Sequence, residues 1–93
     1  MKSINAEQHL LATHISNNPE FEIACMNGDC KSIMSIVETE MKTHDLFTKG
    51  SNKLKDDIYR LTRGQPKVSS SVGTRIMYFV WNSRMAGTGF GVI

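Results

Sequence analysis

The sequence lacks any apolar run long enough to cross a bilayer, and it lacks the apolar segment of a secretory signal peptide. Its longest uninterrupted apolar stretch is six residues, 76–81, whereas a membrane-spanning helix needs about 20. The N-terminal residues Met-Lys-Ser-Ile-Asn contain no hydrophobic region of the kind that directs secretion. These absences predict a protein that stays in the cytoplasm of the cell in which it is made.

Cysteine is scarce, and the two that occur, Cys25 and Cys30, do not suggest a disulfide framework. In a reducing compartment we expect both to be free thiols. Together with His9, His14 and His44 they form the only set of soft metal ligands that the sequence offers. Zinc sites usually have ligand pairs at short, regular spacing, which this set lacks. We therefore predict no metal and no cofactor.

Recognisable catalytic signatures are also missing. The chain has no Gly-x-Ser-x-Gly nucleophile elbow, and we interpret the adjacent Asp56 and Asp57 as surface charges on a basic helix. Gly87, Gly89 and Gly91 have the look of a phosphate-binding loop, but such a loop leads into a helix and only two residues follow. The sequence therefore predicts a protein that is not an enzyme, with a glycine-rich tail over 87–93.

Helix signals, by contrast, are present throughout the first two thirds of the chain. Asn18 and Pro19 fit the cap and first position of a helix, and Gly28 and Gly64 fit the positions that follow helix ends. The segment from Cys30 onwards places apolar residues on one face at helical spacing. We predict helices over 6–16, over about two turns from residue 19, over 30–43 and over 52–63.

The apolar segment 72–86 has two interpretations. Its aromatic and β-branched content fits a strand that pairs with 89–93 in a hairpin. Its unbroken apolar run, with Arg75 and Asn82 close together on a narrow polar edge, fits a buried helix capped by Ser71. We prefer the helix and predict a single all-α domain, a compact bundle of four or five short helices around a buried C-terminal helix. A flexible loop is expected at 67–71, and an α+β fold with a C-terminal hairpin is the alternative.

Charge is distributed unevenly along the chain. Residues 1–48 carry three lysines against seven acidic residues, a net charge of −4, whereas residues 49–93 carry eight basic residues against two aspartates, a net charge of +6. Basic clusters neutralise acidic partners and accelerate their association. The predicted binding residues are Lys49, Lys53, Lys55, Arg60, Arg63, Lys67 and Arg75. Tyr59 is the one aromatic residue that lies among them in the sequence. The stacking of single-stranded bases on this surface therefore has little support.

The acidic and basic halves, the six methionines and the missing catalytic signatures favour a non-enzymatic interaction protein that inhibits or modulates a nucleoprotein complex. In size and character the chain resembles the small phage-encoded counter-defence proteins of the anti-CRISPR kind. The likeness includes no specific motif and assigns no residues, but for a phage-encoded protein it implies the cytoplasm of the host. The expected partner is a protein or a protein–nucleic acid complex, with direct nucleic acid contact and no membrane. An alternative contact is between the acidic residues of the first half and a basic surface of a protein partner. A small helix-turn-helix-like DNA-binding regulator, with helices from 30–48 and 52–63, is the alternative.

Overall fold

Five helices form the regular structure of residues 4–86, the part of the chain that the computed structural model describes. They are α1 (Ile4–Asn17), α2 (Pro19–Met26), α3 (Cys30–Thr43), α4 (Lys49–Thr62) and α5 (Ser70–Ala86). The prediction of an all-α bundle is confirmed. The alternative that placed a strand in the segment 72–86 is wrong, because these residues belong to α5. The predicted tail 87–93 lies outside the described residues.

Short-range signals in the sequence explain how α2 and α3 begin. The side-chain oxygen of Asn18 accepts a hydrogen bond from the backbone N–H of Glu20 at 3.0 Å, which satisfies a donor that the first turn of α2 leaves unpaired. Asp29 caps α3 in the same way through the N–H of Ser32 at 3.2 Å. Between the two helices, Gly28 adopts a φ of 64°, which glycine reaches without strain.

The helix α5 packs against α1, α2 and α4, as expected for a helix around which the others are arranged. It buries Ile76, Met77 and Val80. Its opposite side is left exposed by the other residues of the range 4–86: Arg75 and Asn82 are exposed, and Tyr78, which belongs to the apolar run 76–81, is 53% exposed. The polar edge predicted from Arg75 and Asn82 therefore belongs to a wider exposed stripe of α5.

Two local boundaries differ from the prediction. The helix α4 begins at Lys49 rather than Asn52, and Thr48 caps it. Gly50 lies inside the first turn of α4, where the carboxylate of Glu7 accepts a hydrogen bond from its backbone N–H at 2.8 Å. The loop predicted at 67–71 is shorter than expected, because α5 already begins at Ser70.

One core connects all five helices. Its fully buried members are mainly aliphatic, and each helix contributes at least two of them, so no helix could keep its apolar face covered without the others. The core residues are Leu11, Ala12, Ile15, Phe21, Ala24, Cys25, Ile33, Ile36, Val37, Met41, Leu46, Leu54, Ile58, Ile76, Met77 and Val80.

Candidate functional site

Three of the predicted binding residues lie together on α4, because this helix is amphipathic and buries its opposite side. Leu54, Ile58 and Thr62 point into the core. With about 3.6 residues per turn, Lys49, Lys53 and Arg60 fall together on the opposite side, and all three are exposed. We call these three residues the α4 basic face. With Ile4 and Asn52 they line an open groove of about 410 Å³.

Two carboxylates lie among these cations. Asp56 and Asp57 line the same groove, and the Nζ of Lys53 is 3.0 Å from a carboxylate oxygen of Asp57. An exposed pair of this type, four residues apart on a helix, contributes about 0.3–0.5 kcal/mol. The groove is therefore a surface of alternating charge with a small positive excess, rather than a uniform row of cations.

The other predicted binding residues lie elsewhere on the surface. Lys55 is on another side of α4, where its Nζ is 3.6 Å from a carboxylate oxygen of Glu38 in α3. Arg63 caps the C-terminus of α4 in a left-handed conformation with φ 56°. The backbone of Lys67 forms an isolated antiparallel β-bridge with the backbone of Asp29. Arg75 is on the exposed stripe of α5. The structure thus gathers Lys49, Lys53 and Arg60 in one groove and places the other four outside it.

Several acidic residues of the N-terminal half have partners within the chain. Glu7 binds the backbone N–H of Gly50, and Glu38 lies beside Lys55. Glu40 accepts a hydrogen bond from the side-chain amide of Asn18 at 3.0 Å. These carboxylates take part in contacts within the fold. Fewer of them are therefore available to contact a basic surface of a protein partner.

The cysteines are buried free thiols, as predicted. Burial, with smaller contributions from Cys30 and Glu22, raises the pKa of Cys25 to about 12. Burial also raises the pKa of Cys30, and Asp29 adds to that effect. A thiol that stays protonated at neutral pH is a poor nucleophile and a poor metal ligand, so neither cysteine has the properties of a reactive site in the folded protein.

Each of the three histidines contacts a residue that is distant in the sequence. The Nδ1 of His9 contacts the backbone carbonyl oxygen of Arg84. His14 on α1 and His44 after α3 stack face to face, with ring centroids 3.5 Å apart and an interplanar angle of 13°. Burial lowers the pKa of His14, the nearby imidazole of His44 lowers it further, and Glu40 acts in the opposite direction.

Glu40 completes a cluster that the sequence analysis missed. One of its carboxylate oxygens lies 3.2 Å from the Nε2 of His44, and His14, Glu40 and His44 each offer a ligand atom within 4.8 Å of the other two. The signal that could have found it is the spacing of four between Glu40 and His44, which places both on one side of α3. The ligand set expected from the sequence contained only cysteine and histidine, so it left out Glu40.

Comparison of the chain with protein-family models, with curated proteins and with solved structures found no match. None of the helices within residues 4–86 has both the length and the hydrophobicity needed to span a membrane.

Proposed function

We propose that this chain is a non-enzymatic binding protein that modulates a nucleoprotein complex by occupying its surface through the α4 basic face. The observation that carries the proposal is the placement of Lys49, Lys53 and Arg60 in one exposed groove. Exposed cations accelerate the approach of an acidic partner, and the groove supplies a concave surface with Ile4 at its edge. The setting is the cytoplasm of the cell that contains the complex.

The carboxylates in the groove favour a protein surface over the phosphate backbone as the direct contact. A phosphate backbone presents negative charge at every step along the duplex, so Asp56 and Asp57 would be placed against like charge. A protein partner can instead present charges of both signs in a complementary pattern, which gives specificity as well as a faster association. This mixed pattern supports the interaction protein over the helix-turn-helix-like regulator, in which α4 would be the recognition helix.

The experiment is affinity capture with the full-length chain as bait, using cell lysate with and without nuclease treatment and mass spectrometry of the captured proteins. The test variant is the double change Lys49→Glu and Arg60→Glu. Its control is the double change Lys31→Glu and Lys42→Glu, which alters net charge equally on exposed positions of α3. We expect the α4 variant to lose a captured nucleoprotein that the α3 variant retains.

Equal capture by both variants would contradict a role for the α4 basic face. A parallel measurement of fluorescence anisotropy with random duplex DNA addresses the regulator. Binding by the chain alone, with an affinity that falls steeply as salt rises and that depends on Lys49 and Arg60, would favour that alternative, because phosphate contacts release counterions.

A further inference from the structure

The cluster of His14, Glu40 and His44 has the chemistry of a transition-metal site. Imidazole nitrogen and carboxylate oxygen are the ligands that Zn²⁺ uses outside cysteine-rich sites, and two histidines with one glutamate form a known three-ligand set that leaves a position open for water. Two neutral imidazoles and one carboxylate would leave a bound divalent ion with a net charge of +1. The ligand types are therefore suitable without any contribution from the buried cysteines.

The backbone places these ligands on two helices that are already packed together. His14 lies in the last turn of α1, Glu40 lies in the last turns of α3, and His44 is the residue that caps α3. The backbone N–H of His44 is bonded to the carbonyl oxygen of Glu40 at 3.1 Å, which fixes the spacing of these two ligands. Two of the three ligands are thus presented by one rigid turn, and the third comes from a neighbouring helix.

A residue outside the cluster orients the carboxylate. The side-chain amide of Asn18 donates to one oxygen of Glu40 at 3.0 Å, while the other oxygen lies 3.2 Å from His44. Asn18 is itself held by its role as the cap of α2. Hydrogen bonds of this kind from neighbouring residues orient the ligands of metal sites and commonly alter affinity by about 10–100-fold.

The distances require the side chains to move before an ion can bind. A tetrahedral zinc ion with bonds of about 2.0–2.1 Å has ligand atoms about 3.4 Å apart, and the three ligand atoms here lie within 4.8 Å of one another. The two imidazoles are stacked nearly parallel, and the lone pair of a ring nitrogen lies in the ring plane, so the rings must turn out of the stack to direct both nitrogens at one ion. His14 and Glu40 are partly buried and His44 is exposed, so an ion can enter from solvent and retain a water ligand.

We infer that His14, Glu40 and His44 bind one divalent transition-metal ion, with Zn²⁺ as the preferred occupant, and that the ion links the end of α1 to the end of α3. This site is distinct from the α4 basic face and does not depend on the function proposed for it. An ion that binds only the folded chain raises its thermal stability, in proportion to the logarithm of the free metal concentration above the dissociation constant.

The test is isothermal titration calorimetry of metal-free full-length protein with zinc chloride, together with thermal denaturation at each zinc concentration. We expect one ion per chain and a rise in Tm with zinc. His44→Ala should weaken binding by about tenfold or more and reduce the rise in Tm at each zinc concentration. Because His44 is exposed, this variant should keep its helical circular dichroism. Glu40→Gln is the second variant, and His9→Ala, which removes a histidine of α1 outside the cluster, is the control.

Cobalt provides an independent readout of the ligands. We expect Co²⁺ bound to the protein to give the visible bands of a nitrogen- and oxygen-ligated ion, without the near-ultraviolet band that a thiolate ligand produces. A thiolate band would assign the metal to the cysteines and overturn the inference. So would unchanged zinc affinity in both His44→Ala and Glu40→Gln, or the lack of any saturable zinc binding by the wild-type chain.

Discussion

Gly73 determines how closely α5 approaches α2. A Cβ atom at this position would collide with the backbone carbonyl of Cys25, so the two helices can pack in this way only because residue 73 has no side chain. Backbone atoms within a helix cannot move aside as the end of a long side chain can. The close approach lets Ile76 and Met77, one turn further along α5, reach the core.

Replacement of this glycine should therefore destabilise the protein, even though alanine is the better helix former. Helix propensity alone would favour Gly73→Ala by about 1 kcal/mol, whereas overpacking of a rigid contact costs about 1–3 kcal/mol. We expect a net loss of up to about 2 kcal/mol in the free energy of unfolding, measured by urea denaturation. Asn82→Ala, on the exposed stripe of the same helix, is the control and should change stability by less than about 0.5 kcal/mol. A stabilised Gly73→Ala variant would mean that α2 and α5 are further apart.

At the scale of the helical element, the start of α4 shows what decides a helix boundary. Thr48 accepts a hydrogen bond from the backbone N–H of Ser51 at 3.2 Å and donates one to the hydroxyl of Ser51 at 3.0 Å. The turn that follows includes Gly50, whose N–H is bonded to Glu7 from α1. The helix thus begins three residues before the position that local sequence predicts.

Loss of the Thr48 cap should weaken the fold by a measurable amount. Thr48→Ala removes the acceptor for a backbone donor, and we expect a cost of about 1–2 kcal/mol in the free energy of unfolding. Thr48→Ser retains the hydroxyl and should preserve most of the stability. Thr39→Ala, an exposed change within α3, is the matched control. If Thr48→Ala and Thr39→Ala had equal effects in chemical denaturation, the cap would have no energetic role.

The same elements show how far sequence reasoning could reach. Local signals were sufficient for α2 and α3, because Asn18, Pro19 and Asp29 act on residues within one turn of themselves. Local signals did not predict that Gly50 belongs to a helix, because its backbone N–H is hydrogen-bonded to the carboxylate of Glu7, 43 residues away in the sequence. They were also insufficient at Tyr78, because an apolar run does not reveal which side of its helix other elements will cover.

The residues of the candidate site could likewise be grouped from the sequence only in part. Helical geometry alone could have grouped Lys53 and Arg60, but Lys49 joins them only because α4 begins three residues earlier than the local sequence predicts. It could not show that Lys55 faces Glu38 of another helix. The spacing of Glu40 and His44 is a local pattern, but the position of His14 beside them depends on the packing of α1 against α3, which no local pattern contains.

At the scale of the whole molecule, the cysteines can report whether the chain unfolds as one unit. Cys25 is completely buried in the shared core and Cys30 is 2% exposed at the start of α3. The backbone N–H of Cys30 is bonded to the carbonyl oxygen of Pro66 at 3.1 Å, so the segment that follows α4 covers the start of α3. Both thiols should become reactive only when the structure around them opens.

We expect iodoacetamide at about pH 8 to modify both cysteines at the same slow rate, on the order of 10³-fold below that in denaturant, because a domain of typical stability unfolds rarely. The rates are followed by mass spectrometry of peptides that contain each cysteine, with Cys25→Ser and Cys30→Ser variants to assign the signals. Increasing urea should accelerate both reactions in parallel, since a single cooperative transition exposes them together. Faster modification of Cys30 with little dependence on urea would instead show that the contact between Pro66 and α3 opens locally while the core around Cys25 stays folded.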